Sequence, residues 1–241
     1  MNESPIKLTE EQEYAVSVMM SGRNVFLTGE AGTGKSTVLR EFRRRCDRPC
    51  VVLAPTGIAA INAGGTTIHS FFQLRPGLLT PDTIEPFTSG SRAQVIREAK
   101  TIVIDEVSMV RSDLLSAIDI RLRALTGGPR RQMPFGGKQM VFVGDMFQLP
   151  PVVKPADREV LQDIYPSDSF FGYRAHAIQR LRLVKIEFEE NYRQENTDFL
   201  KMLDDVRLHK VTPFDLARLN SRLCSPTKED GSVITLASRN D

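Results

Sequence analysis

This sequence lacks most of the features that would declare a partner outright. Its three cysteines, Cys46, Cys50 and Cys224, form neither an even disulfide set nor a metal-ligand pattern, and read as reduced thiols. No apolar run approaches the roughly 20 residues that a membrane-spanning helix needs. The acidic start MNESPIKLTEEQ is unlike a secretory signal or a basic transit peptide, so the expectation is a cytoplasmic protein with no membrane partner. The formal net charge is only +2, and any contact with nucleic acid must come from a local patch rather than a global field. There is no internal repeat and no low-complexity tract. What remains is 241 residues with 41% hydrophobic content, enough for one large or two small domains with a substantial core.

Short β-rich runs alternate with helical patterns. The runs 25–28, 50–54, 101–104, 140–143 and 184–188 read as buried strands of a mostly parallel sheet, an α/β arrangement. Leu114, Leu115, Ile118, Leu122 and Leu125 recur at helical spacing after Ser112, a candidate cap, and this helix reads as core packing. The stretch 73–92, rich in proline and weak in periodicity, reads as an excursion from the sheet, and 126–138 as a glycine- and proline-rich loop.

The chemistry begins at residues 29–36, GEAGTGKS, between the apolar run Val25-Phe26-Leu27 and a helix-forming stretch. Glycines at 29, 32 and 34 allow the backbone to turn its amides around a polyphosphate. Lys35 can reach the β- and γ-phosphates, Ser36 can ligate Mg²⁺, and the helix N-terminus adds partial positive charge. The plain alternative is a glycine-rich turn joining strand to helix. Asp105-Glu106 follows the run 101–104, where an acidic residue at a strand end holds Mg²⁺ and its neighbour deprotonates the attacking water. Asp105 is assigned to the metal and Glu106 to the general base, against the alternative of a solvated loop pair. A third cluster, GDMFQLPPV at 144–152, follows another strand. Gln148 there is placed to sense the terminal phosphate, and Phe147 and Leu149 offer contact surface unless the ring is core.

Thr56, in APTG after a strand end, offers a hydroxyl and backbone amides to a phosphate. Thr67, His69, Phe71 and Phe72 combine polar groups with rings that can stack on bases or, equally, fill a core. The run Arg43-Arg44-Arg45 falls at a helix end, where cations suit the dipole, and is not read as a DNA site.

Six segments in order, GEAGTGKS, APTGIAA, TTIHSFF, DEVSM, GDMFQLPPV and ENYRQ, resemble superfamily 1 helicases, and most of all the PIF family of 5'-to-3' DNA helicases, in a bacterial-type member. RecD-type helicases share several of these motifs, but Pro134-Phe135-Gly136-Gly137 before a strand and GDMFQLPPV favours PIF. The resemblance implies a RecA-like P-loop domain over 1–188 with a small wedge-like segment near 73–98. Residues 189–241 would be a linker and the incomplete start of a second RecA-like domain, making the chain an N-terminal fragment.

The resemblance also implies ATP bound by Gln12, Gly29, Gly32, Thr33, Gly34, Lys35, Ser36, Thr37 and Tyr192, with Mg²⁺ on Ser36 and Asp105. Gln12 would read the adenine edge, although Thr9-Glu10-Glu11-Gln12 is also a capping box. Tyr192 would stack on adenine, Gln148 would couple the γ-phosphate to DNA, and Arg193 would be an arginine finger. Single-stranded DNA is placed at Pro55, Thr56, Thr67, His69, Phe72 and Phe147. The partners implied are single-stranded and forked or structured DNA, engaged by a monomer in repair, recombination or telomere maintenance. Two other classes remain open on the residues alone. A P-loop kinase or signalling NTPase is one, though a guanine-specific NKxD string is absent; a DNA-binding module with vestigial ATPase is the other.

Overall fold

A computed structural model describes residues 7–85, 89–166, 170–192, 194 and 196–223. The apolar runs become β1 (Asn24–Gly29), β2 (Cys50–Ala54), β4 (Thr101–Ile104), β5 (Gln139–Val143) and β6 (Leu183–Phe188), joined by the two-residue β3 (Thr66–Thr67). All pair in parallel, in the order β3-β2-β4-β5-β1-β6. A parallel sheet needs crossover helices that cover its faces, so the central β4 and β5 are buried along their whole length, while the edge strand β6 alternates and exposes Lys185 and Glu187.

Alternation within those runs sorts side chains between two cores. Val25, Leu27, Val103, Val141 and Val143 pack with α1 (Glu10–Met20) and α2 (Lys35–Arg45). Ile102, Ile104, Met140 and Phe142 pack with α4 (Ile68–Phe72), α5 (Ser91–Glu98) and α6 (Ser112–Ala124), while the short α3 (Gly57–Asn62) follows β2. Farther along come α7 (Pro155–Ile164) and α8 (His176–Gln179). This is the α/β fold class expected.

One local reading needs correction, and two segments carry more structure than the sequence showed. Ser112 is the first helical residue rather than the cap; Arg111 occupies the N-cap without a side-chain cap bond. The local polar chemistry runs through Asp113 instead. Its carboxylate takes Arg111 Nε at 2.6 Å and Arg111 Nη2 at 2.7 Å, and also the Leu79 N–H at 2.9 Å. Arg111 donates as well to the Gly77 carbonyl at 2.7 Å, so this pair ties the excursion down onto α6. The helix α5 lies inside the expected inserted segment, yet Ala93 and Ile96 belong to the main core. The loop over 126–138 contains two short 3-10 turns, 128–132 and 134–137, and buries Phe135, whose N–H donates to Asp119 at 2.6 Å.

Two compact units divide between Gln194 and Glu195, a little beyond the boundary expected at 188. In the second, α9 (Thr197–Arg207) is capped by Asn196 and α10 (Pro213–Asn220) by a Thr212/Asp215 box. Among the described residues Cys46 and Cys50 are free thiols, and burial pushes the Cys50 thiol up to about 12. Cys224 and the closing stretch 234–241 lie outside the described residues. No helix among the described residues is long and apolar enough to cross a membrane.

Candidate active site

Because β4, β5 and β1 are neighbours, the loops leaving their C-terminal ends lie side by side at one sheet edge, where parallel α/β sheets place ligands. Those loops carry residues 29–34, the pair Asp105-Glu106 and Gly144-Asp145. Between them opens a cavity of about 580 Å³. Lys35, Ser36, Thr37, Asp105, Glu106 and Gln148 line it, together with Gln12 and Tyr192.

The loop is held in an open turn from within. Lys35 Nζ donates to the carbonyls of Gly29 and Glu30, both at 2.7 Å. Gly34 has φ +90°, and a Cβ there would collide with the Gln12 amide, so the position requires glycine. Gly32, Gly34 and Lys35 line the cavity directly. Gly29 and Thr33 do not: Gly29 is pressed against the Phe188 carbonyl, and the buried Thr33 hydroxyl donates to the Glu30 carbonyl at 2.9 Å. Their side of the assignment is loop shape, leaving backbone groups as their only means of reaching a ligand.

The carboxylates sit in a costly environment. Burial raises the Asp105 carboxyl above the ordinary range, despite the Glu106 N–H donated to its Oδ1 at 2.9 Å and the nearby charge of Lys35. Burial also raises Glu106, and the negative charges of Asp105 and, less, Asp145 push in the same direction against Lys35. Glu106 occupies the left-handed region at φ +51°, unusual for a residue with a Cβ and characteristic of strained functional turns. Asp145, absent from the sequence assignment, is 1% exposed, lines the same cavity and accepts the Phe147 N–H at 3.1 Å. It ends an apolar strand just as Asp105 does, and that signal alone could have found it. Gln148 Nε2 approaches its other oxygen at 3.5 Å.

An implied Mg²⁺ can be tested against the donors. A serine hydroxyl at the helix start and a carboxylate whose charge is penalised by burial line one cavity, a hard-oxygen pair suited to this cation. No cluster of three or more His, Cys, Asp or Glu side chains able to hold a metal exists among the described residues.

For Gln12 the structure shows the capping box and a place in the cavity lining. Its Oε1 accepts the Thr9 N–H at 3.2 Å, completing the capping box, while the side chain, 6% exposed, lines the cavity beside Gly34. Lys7 and Thr9, also missed, line the same cavity. Tyr192 is half exposed with its hydroxyl donating to Glu190 at 2.7 Å. Arg193 lies outside the described residues.

A second cavity, about 530 Å³, adjoins the first and shares Ser36, Asp105, Glu106 and Gln148 with it. Thr56, Ile58 and Leu149 line it as well. Thr56 and Thr67 cap α3 and α4, accepting N–H bonds from Ala59 and Ser70 at 3.3 Å each, so both hydroxyls can still donate outward. Pro55 precedes this cap and is partly exposed. His69 is half buried, and burial, aided by Arg111, lowers its pKa. Phe147 is 58% exposed and free of the core. Phe72 is a correction: at 0% exposure it fills the core, edge-on to Phe71 at 5.0 Å, and its ring is closed to a base.

A family model described as PIF1-like helicase matches residues 7–215. The chain is 38% identical to the Candida albicans protein named ATP-dependent DNA helicase PIF1, over 94% of this chain and 25% of that protein. Among solved structures it is similar to a Bacteroides Pif1 helicase in complex with ADP-AlF3 and single-stranded DNA (38% identity, TM-score 0.82, 92% of this chain, 52% of that one). It is also similar to a structure of forked double-stranded DNA unwound by two coordinating Pif1 helicases (40% identity, TM-score 0.83, 90% and 52%). These matches identify the first unit's fold as RecA-like. The chain thus spans about a quarter of the curated relative and about half of the solved chains. Identity to the yeast and the Bacteroides protein is the same, so these relatives do not single out a bacterial type.

Proposed function

We propose that this chain, which belongs to the PIF1-like helicase family, carries the ATP-binding and ATP-hydrolysing part of a DNA helicase that moves 5'-to-3' along single-stranded DNA. The observation that supports this most is the convergence of Lys35, Ser36, Asp105, Glu106 and Gln148 on one cavity from three adjacent strand ends.

Lys35 leaves the loop carbonyls to meet the β- and γ-phosphates, and the amides of the loop and of the α2 N-terminus cradle them. Glu106, held at raised proton affinity, takes the proton of the attacking water. Ser36 and Asp105 would hold Mg²⁺, which when bound offsets negative charge on the phosphates. Gln12 and Tyr192 frame the base, and Arg193, next in the chain, is proposed as the arginine finger. Gln148 lines both cavities, which gives it a direct route from the terminal phosphate to a strand in the second. There Pro55, Thr56, Thr67 and His69 would meet the backbone and Phe147 a base. We place forked or structured DNA among the substrates and the monomer as the working unit.

The test is ATP hydrolysis by the full-length protein with and without single-stranded DNA. Stimulation is expected, and DNA affinity should fall with salt at a slope of about 0.7 per neutralised phosphate. Hydrolysis indifferent to DNA would overturn the helicase reading while leaving an ATPase.

A further inference from the structure

After β6 the chain crosses back over the tip of the phosphate loop. Asn191 Nδ2 donates to the Ala31 carbonyl at 2.7 Å, and the Tyr192 N–H donates to the Gly32 carbonyl at 3.0 Å. With Lys35 on the carbonyls of Gly29 and Glu30, four consecutive loop carbonyls, 29 to 32, are each engaged. The first two are held by Lys35, with Thr33 also on Glu30, and the last two by the returning chain.

The two holds are not equivalent once a polyphosphate enters. Lys35 has three N–H donors, two of them on loop carbonyls, so meeting two phosphates withdraws at least one from the loop. Thr33 still holds the Glu30 carbonyl, and the returning chain is what holds the carbonyls of Ala31 and Gly32. A peptide unit is planar, with C=O and N–H pointing in opposite directions. Fixing the Ala31 carbonyl toward Asn191 therefore fixes the Gly32 N–H away from it, and Gly32 lines the cavity. A carbonyl left to swing inward would present negative charge to an anion.

We propose that Asn191 is a positioning residue for nucleotide, holding the Ala31–Gly32 peptide so that its N–H, and not its carbonyl, serves the phosphates. This rests on the reading of the cavity as the ATP site. It does not touch the reacting atoms.

The test is titration of the protein with a fluorescent ADP analogue, using wild type, Asn191→Ala, Asn191→Asp, Asn191→Gln and Lys35→Ala, each with a melting curve in the absence of nucleotide. Losing one hydrogen bond should weaken binding about 3- to 10-fold in Asn191→Ala. Asn191→Asp should be weaker still, because a carboxylate cannot donate and repels the carbonyl. Asn191→Gln, which keeps the donor on a longer arm, should recover part of the loss. The melting temperatures of the Asn191 variants should match wild type, and in the full-length protein KM for ATP should rise with kcat unchanged. If the Asn191 variants bind as wild type while Lys35→Ala does not, the proposal is overturned and the site stands. If Lys35→Ala also binds as wild type, the reading of the cavity itself fails. Affinity losses that only track melting temperature would reduce Asn191 to a structural role, again overturning the proposal.

Discussion

Asp113 and Asp105 are both aspartates tucked beneath loops of the same unit, yet their surroundings differ in kind. Asp113 is completely buried and takes a two-pronged guanidinium from Arg111 and a backbone N–H from Leu79, so both its oxygens are engaged by donors. Asp105 receives one backbone N–H, and the charge of Lys35, itself hydrogen-bonded to loop carbonyls, lowers its pKa by less than burial raises it. Glu106 beside it has the added repulsion of two other carboxylates. One environment spends charge on stiffness; the other holds carboxylates at raised proton affinity beside an open cavity, the condition in which a carboxylate accepts protons and cations.

The comparison is broken most forcefully at Asp113. Asp113→Ala leaves Arg111 largely buried without its main partner and should cost about 3–5 kcal/mol, seen as a melting temperature lowered by on the order of 10 °C. Nucleotide affinity of the folded protein should be unchanged. A variant as stable as wild type would mean that the pair does not hold the excursion on α6.

The two phenylalanines of the DNA assignment sharpen it further. Phe72→Ala opens a core cavity and should cost about 3–5 kcal/mol of stability, with DNA binding changed only through folding. Phe147→Ala should leave stability within about 0.5 kcal/mol and weaken single-strand binding by about 1–3 kcal/mol if the ring stacks on a base. Calorimetry paired with an anisotropy titration separates them, and the reverse pattern would exchange their roles.

The smallest effect is a matter of sign. The pKa of Glu106 is raised in the folded state, so the folded protein binds this proton more tightly than the unfolded chain. Its charged form therefore burdens the fold at neutral pH, and the burden lifts as pH falls through the raised value. Glu106→Gln should be more stable than wild type at neutral pH, with the difference shrinking on acidification. Urea denaturation at several pH values checks this, and a constant difference would show that the carboxylate is not penalised.

Much of this was legible in the chain because the phosphate loop and the acidic strand end are contiguous patterns whose chemistry is local. The central strands were readable for a similar reason, since a parallel sheet buried on both faces demands apolar runs, and the edge strand β6 was readable from the alternation of Val184, Ile186 and Phe188 with charged residues. What escaped depended on distant neighbours. TTIHSFF gives polar caps and rings within a few residues, and only the packing of α4 decides that Phe72 points inward while Thr67 stays at the surface. β3 is two residues long and exists because β2 lies beside it. Ser112 looked like a cap because nothing local shows that Arg111 turns back to Asp113. Asn191 could not be linked to Ala31 from sequence, since the contact spans 160 positions.

The central claim is that Lys35 grips the nucleotide and Glu106 only activates water, and a side-by-side titration of Lys35→Ala and Glu106→Gln with ATP, followed by single-turnover hydrolysis in the full-length protein, tests it most directly. Lys35→Ala should lose nucleotide affinity, whereas Glu106→Gln should bind as wild type yet hydrolyse about 10²- to 10⁴-fold more slowly. Equal loss of affinity in both variants, or normal turnover by Glu106→Gln, would contradict the account.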